Sequence, residues 1–460
     1  KGNIQVSPRI GFTWDIFGDK SLKLRGGTGL FAGRLPLVFF TNMPSNALMA
    51  QGSAVASTVY RNGTITPDAV LNKFKGGLVT DVTKIRELLG APATITPEQG
   101  SLPKNFAGVD HNFKMPQVWK TAIAIDGQVP VSFPLSFTAE FTFTKKIHDV
   151  MLDNYNIKSN DGWETLKGTG DDRYVYPNDY RYYKNINSAC VLTNTSKGYG
   201  WTFNFTVNAE PVQNLNLMAA YTHTVMKELT GMPGNNAYST WSNMYAVQGP
   251  NFLELGNSRY VIPDRLIASA SYKYAKDHFS LFYTGYSPSG YSFYYDGDIN
   301  GDGNRYDLMY IPKDENDIHF TNPADADLFW KFVNQDSYLK NHKGEYAEPY
   351  SARAPFVHRF DFRWAHDFDV KIGQTKNKLV LSLDIMNVGN LFNSKWGVEK
   401  NMAGCNNGKI LKVNKIVDGV PYFSMYKDKA TGEAPTSTWS FNHNYNQCWK
   451  MQIGVKYVFN

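Results

Sequence analysis

The densest run of oxygen-bearing side chains in this sequence is Asp296-Gly297-Asp298-Ile299-Asn300-Gly301-Asp302-Gly303-Asn304-Arg305-Tyr306-Asp307. Acids and amides recur at every second position, and glycines stand between them. A hard cation such as calcium takes several oxygens, and glycine permits the sharp turn that brings them around it. Asp298, Asn300, Asp302 and Asp307 are therefore the expected ligands of a bound calcium ion. An EF-hand loop closes with a carboxylate at its twelfth position. Counting from Asp298, that position holds Met309, so Asp307 at the tenth must substitute. The other reading of the same residues is a series of Asx-Gly turns capping a strand.

Other chemistry is sparse. His223, His358 and His366 stand singly in strand-like segments with no second ligand at metal spacing, and read as lumen or interface histidines. A nucleophile elbow of the Gly-x-Ser-x-Gly kind is absent, so no catalytic residues are assigned and no enzyme activity is expected. The three cysteines, Cys190, Cys405 and Cys448, are too few for a disulfide scaffold and lack metal-ligand spacing. Asn62-Gly63-Thr64, Asn194-Thr195-Ser196 and Asn204-Phe205-Thr206 match glycosylation sequons by chance. Loop aromatics such as Phe39, Phe40, Trp241 and Phe252 either clasp a ligand or pack loop against loop.

The elements that must carry these residues alternate with a period of two. In Trp201-Thr202-Phe203-Asn204-Phe205-Thr206-Val207-Asn208 the odd positions are apolar and the even ones polar. The segments 135–144 and 266–274 repeat the pattern. Between 356 and 368, Phe360, Phe362 and Trp364 share one face, while Arg359, Asp361, Arg363 and Asp367 share the other. Mixed charges on that second face need water, which a dry sandwich core does not supply.

Composition agrees. Aromatics are 15% of the 460 residues, with 28 Tyr and 29 Phe, while the mean hydropathy is negative. No apolar run reaches the roughly 18 residues that a membrane helix needs. A transmembrane barrel combines a polar average with a surplus of aromatics, because lipid-facing and lumen-facing residues alternate. The net charge of +6 is spread along the chain, which argues against nucleic acid as a partner.

Short connections at 17–21, 126–131, 210–214, 275–277 and 371–377 alternate with long ones at 34–115, 150–198, 228–261, 296–353 and 393–446. Outer-membrane barrels are built in this way, with short periplasmic turns and long extracellular loops. The expected fold is all-β, a transmembrane antiparallel barrel. Its strands lie near 4–16, 22–33, 117–126, 133–148, 199–210, 214–226, 264–274, 278–294, 355–369, 378–392 and 447–459. On this reading Trp201, Phe203, Phe205 and Val207 meet lipid, and Thr202, Asn204, Thr206 and Asn208 meet the lumen. Single-chain bacterial barrels close with an even number of strands, so eleven are expected to be part of a larger wall. Cys405, early in the loop after the tenth strand, and Cys448, at the upper end of the eleventh, fall on the same extracellular side and are expected to form a disulfide.

Several phrases resemble the Oar-like branch of the TonB-dependent outer-membrane receptors of Bacteroidetes. They are Ser7-Pro8-Arg9-Ile10-Gly11-Phe12, Leu24-Arg25-Gly26-Gly27-Thr28-Gly29-Leu30-Phe31, Asn194 to Gly200, Asp298 to Pro312, Asn387-Val388-Gly389-Asn390-Leu391 with Trp396-Gly397, and the closing strand from Trp449 to Phe459. The resemblance implies a barrel of 22 strands around an N-terminal plug, of which residues 1–460 would supply the C-terminal half. It further implies uptake of a large nutrient, whether peptide, protein or glycan, energised by TonB acting through the plug. The expected partners are outer-membrane lipid, the other half of the barrel with its plug, TonB, and a surface lipoprotein. A structural or adhesive outer-membrane protein, or a passive porin, is the alternative from another functional class.

Overall fold

A computed structural model describes residues 5–35, 38–41, 43, 58–61, 64–67, 71–74, 76–91, 93–94, 104–288, 290–372 and 374–459. Eleven strands form one continuous antiparallel sheet in chain order. They are β1 (Arg9–Asp15), β2 (Leu22–Ala32), β3 (Gln117–Gln128), β4 (Leu135–Asn154), β5 (Tyr199–Ala209), β6 (Leu215–Glu228), β7 (Asp264–Tyr274), β8 (Asp277–Tyr286), β9 (Val357–Ile372), β10 (Thr375–Met386) and β11 (Lys450–Val458). All eleven expected strands are present. Two end earlier than expected. β8 stops at Tyr286 and not near 294, and β10 stops at Met386, where Asn387 takes a left-handed backbone and a short helix, Val388–Phe392, begins. Asn62 of the first sequon lies outside the described residues.

The register sorts whole rows of the sheet by polarity. Leu215, Tyr272, Phe279, Trp364, Leu383 and Ile453 stand opposite one another across six strands. The next row holds Asn216, Ser271, Ser280, Arg363, Asp384 and Gln452, every one polar. Beyond it come Leu217, Ala270, Leu281, Phe362, Ile385 and Met451. Side chains in adjacent rows point to opposite faces, so one face is apolar from strand to strand and the other polar.

The apolar face is left uncovered. Phe203 and Phe205 are 37% and 39% exposed, and Ile453 and Val455 are 66% and 69% exposed. A soluble sandwich would bury this face under a second sheet. On the polar face, Arg25 bridges Asp126 (2.8 Å) and Glu140 (3.0 Å), and Arg363 bridges Asp384 (2.8 Å). There too Asn204 Nδ2 donates to Thr222 Oγ1 (2.9 Å), and Thr206 Oγ1 donates to Asn204 Oδ1 (3.0 Å).

The apolar cores of the molecule lie in its long connections. One gathers Phe293, Ile299, Met309, Phe329, Met402 and Leu411 from the connections after β8 and β10, with Leu166 from that after β4. A second joins Leu35, Phe39, Cys190, Leu192 and Trp241 from the connections after β2, β4 and β6. β4 runs beyond the sheet to serve this second core, its end pairing with the strand Ser188–Thr195. The helix Ala324–Gln335 buries Phe329, Phe332 and Val333 in the first core. It also buries Asp325, which accepts from the Met425 amide and ion-pairs with Lys427.

Candidate functional site

The oxygen-rich loop lies inside this folded canopy, and its burial runs against ordinary hydropathy. Asn300, Asp302, Asn304 and Asp307 are buried, while Gly301, Gly303 and Arg305 between them are exposed. Gly301 and Gly303 adopt φ of +79° and +86°, which glycine reaches without a Cβ penalty. Their amides donate to Asp298 Oδ1 (2.7 Å) and Oδ2 (2.9 Å). Asn300 Oδ1 accepts from the Asp302 amide (3.1 Å), Asp302 Oδ1 from the Asn304 amide (2.6 Å), and Asp307 Oδ2 from the Ile299 amide (3.2 Å).

Three buried side-chain atoms of the loop remain unmatched. Asp302 Oδ2 is buried without a hydrogen-bond partner, as are Asn300 Nδ2 and Asn304 Nδ2. Burial first, and then the charge of Asp298, push the Asp302 carboxyl up to about 6; the Asn304 and Asn300 amides hold it down in part, although neither Nδ2 completes a hydrogen bond. Asp307 rises well above the usual carboxylate range through burial and the charge of Asp302, against the pull of Arg173. Arg173 is itself fully buried and committed to Asp171, with Nε 2.8 Å from Oδ1. Among the described residues no group of three His, Cys, Asp or Glu side chains forms a ready metal cage.

Two neighbouring connections clamp the loop. The Tyr176 amide donates to Asn300 O (2.7 Å), and Tyr180 Oη donates to Asp302 O (3.3 Å). The Leu308 amide donates to Ala246 O (2.9 Å). Gly249 stands where a Cβ would come within 2.8 Å of Asp302 Oδ2 and 2.2 Å of Tyr176 Oη.

A second feature escaped the sequence. Tyr245, Arg259, Tyr291, Tyr294, Tyr306 and Tyr350 line a cavity of about 620 Å³ among the connections after β6, β8 and β10. Tyr245 packs edge-on against Tyr294, Tyr306 and Tyr350 at 5.0–5.4 Å. Burial keeps the Tyr245 and Tyr350 phenols protonated, pushing Tyr350 up to about 12 and Tyr245 higher still, so these two donate as well as accept at neutral pH. These tyrosines are scattered from 245 to 350 with no period, which hides them until the connections fold together.

The remaining expected site residues separate. Trp241 and Phe39 are buried, with Phe40 and Phe252 packed beside them, so these aromatics join loop to loop. Trp241 Nε1 donates to Asn251 Oδ1 (2.7 Å). His223 meets Asp264, His366 meets Asp277, and His358 meets the Tyr283 hydroxyl, each at the strand-to-strand interface. The expected Cys405–Cys448 disulfide is not formed, and all three cysteines are free thiols. Cys405 turns inward to the canopy core, where its Sγ contacts Met402 O and Thr438 O at 3.4 Å, whereas Cys448 is exposed. Sharing a connection did not bring the two thiols together, because that connection folds a core of its own.

A one-layer sheet with an uncovered apolar face, a charged opposite face and long connections confined to one end has a counterpart among known families. The model of the outer membrane β-barrel domain matches residues 2–410. The chain belongs to the outer membrane β-barrel domain family. The sheet is therefore barrel wall in the bacterial outer membrane, its apolar face turned to lipid and its polar face to the lumen. Among solved structures the chain is similar to the outer membrane transporter YddB from Escherichia coli, at 11% identity and a TM-score of 0.45, over 100% of this chain and 41% of that one. The chain thus spans less than half the length of that transporter. No curated protein matches the chain.

Proposed function

We propose that this chain is the C-terminal half of the barrel of a TonB-dependent receptor, which takes up a large nutrient (peptide, protein or glycan) across the outer membrane. The observation that carries the reading is the tyrosine-lined cavity with Arg259 among folded extracellular connections. A passive pore needs an open mouth. Connections with their own apolar cores and a cavity offering protonated phenols and one guanidinium suit capture of a polar polymer, through stacking and hydrogen bonds. The two edge strands support a larger wall. Among the described residues β1 pairs only with β2 and β11 only with β10, and unpaired backbone groups in hydrocarbon cost several kcal/mol each. A 22-stranded wall satisfies both edges. In this proposal the plug, TonB and a surface lipoprotein are partners.

The test is uptake by the full-length protein in cells with and without TonB, using fluorescent peptide and oligosaccharide mixtures. Uptake should collapse without TonB. Uptake that persists unchanged without TonB would overturn the reading in favour of a passive porin, and surface adhesion without uptake would favour a structural role.

A further inference from the structure

The loop from Asp298 to Asp307 carries more acid than its surroundings neutralise. Its register places Asp298, Asn300 and Asp302 at positions one, three and five, Gly303 at the sixth, where a calcium loop makes its sharp turn, and Asp307 at the tenth. Asx turns alone would account for that spacing and for the amide bonds to Asp298. They do not account for Asp302. Its side chain is 4% exposed, its Oδ2 has no partner, and the nearby charges that act on it and on Asp307 include Asp298. Among the described residues no Lys or Arg ion-pairs with Asp298, Asp302 or Asp307, and Arg173, whose charge acts on Asp307, is ion-paired to Asp171. An uncompensated buried carboxylate is costly, and a bound cation is the ordinary remedy.

We propose that this loop is a calcium-class cation site, with Asp302 as its buried anionic ligand and with oxygens of Asp298, Asn300 and Asp307 joining it. Among the described residues no three His, Cys, Asp or Glu side chains gather closely enough to hold a metal by themselves, so the ion would have to be a hard cation that accepts amide and backbone carbonyl oxygens alongside carboxylates. That describes calcium and excludes the soft-ligand metals, for which neither histidine nor cysteine is present in the loop. The bound ion would stiffen the canopy. The loop carbonyls of Asn300 and Asp302 accept from Tyr176 and Tyr180, so fixing the loop fixes the connection after β4 against that after β8. Tyr306 of this loop lines the tyrosine cavity, but none of the four proposed ligands does, and the site does not depend on the transport reading.

The experiment is calcium titration of the full-length protein in detergent after EDTA treatment, read by calorimetry and by thermal melting, with Asp302→Asn and the nearby Asp296→Asn compared. The expected Kd is on the order of 10⁻⁴–10⁻³ M, the range of extracellular calcium modules. D302N should bind calcium at least ~10-fold more weakly, since one formal charge leaves the ligand set, and D296N should bind as the parent does. In EDTA, D302N should melt no lower than the parent, because the substitution removes a buried charge without removing shape. Three results would overturn the proposal: no calcium binding by correctly folded parent protein at 10-fold above that range, an equal calcium-induced shift in D302N and the parent, or a D302N melting point lowered equally with and without calcium.

Discussion

Placing a lysine at Phe205 and, separately, at Asn204 tests the assignment of faces on which the barrel rests. Phe205 lies one residue from the middle of β5, opposite Ala139 and Tyr221, with its ring 6.4 Å from that of Phe137. A lysine on the lipid face near the midplane costs about 2–4 kcal/mol. Loss of the aromatic contact adds about 0.5–1 kcal/mol, giving roughly 3–5 kcal/mol for F205K. Asn204, one residue away, points to the polar face. N204K forfeits the hydrogen bonds to Thr222 and Thr206, each worth about 0.5–1.5 kcal/mol. Its charge stays in water opposite Glu140, which returns about 0.2–1 kcal/mol. The net for N204K is about 1–2 kcal/mol. The expected gap of about 2 kcal/mol is roughly a 30-fold difference in the folded-to-unfolded ratio. Urea titration of the full-length protein in lipid vesicles, followed by heat-modifiable gel mobility, measures it. If N204K proves the costlier change, the faces are inverted and the lipid assignment of every strand in register with β5 fails.

Three further outcomes follow from the canopy. In the intact protein at pH 8 a maleimide should label Cys448 alone, because burial pushes the thiols of Cys190 and Cys405 up to about 12; mass spectrometry of the labelled peptides would show it, and a reductant-dependent gel shift would contradict the free thiols. Arg173→Met strands the buried Asp171 without its partner and should cost about 3–5 kcal/mol, seen as faster protease cleavage of the connections, with much of the loss recovered when Asp171→Asn is added. Tyr245→Ala removes the ring shared by three neighbours in the cavity wall and should lower nutrient affinity about tenfold or more while leaving barrel mobility on gels unchanged; unaltered affinity would move the binding surface elsewhere.

The wall of the barrel was legible because each of its strands obeys a single local rule. Alternation in Trp201 to Asn208 sets both the strand and its faces, and the partners then follow in chain order, as they do in any meander. The Phe360, Phe362 and Trp364 face, opposed by Arg359, Asp361 and Arg363, was readable for the same reason. Loop signals were weaker. The alternating aromatics Tyr291, Phe293 and Tyr295 prolong the alternation of β8 on paper, yet Phe293 and Tyr295 serve the canopy core and not the sheet. Likewise Val388, Leu391 and Phe392 carry apolar residues past the end of β10, although the left-handed Asn387 has already ended the strand.

The canopy itself was hidden because its order comes from residues far apart in the chain. Leu166, Met309, Phe329, Met402 and Phe423 form one core, but they come from three separate connections, and no local pattern says that those connections pack together. The expected disulfide failed for the same reason. A slack tether from 387 to 449 would have let two strand ends bring their thiols together, whereas Cys405 is anchored in a core with Met402 and Ile410. A folded canopy also changes what a buried polar residue means. In a slack loop Asn300 and Asp302 would face water and their Asx pattern would be turn chemistry alone. Held against Tyr176, Tyr180 and Gly249, they are withdrawn from water together with the Asp307 carboxylate. The same packing that conceals the canopy from sequence reading thus leaves Asp302 Oδ2 buried without a hydrogen-bond partner among the described residues.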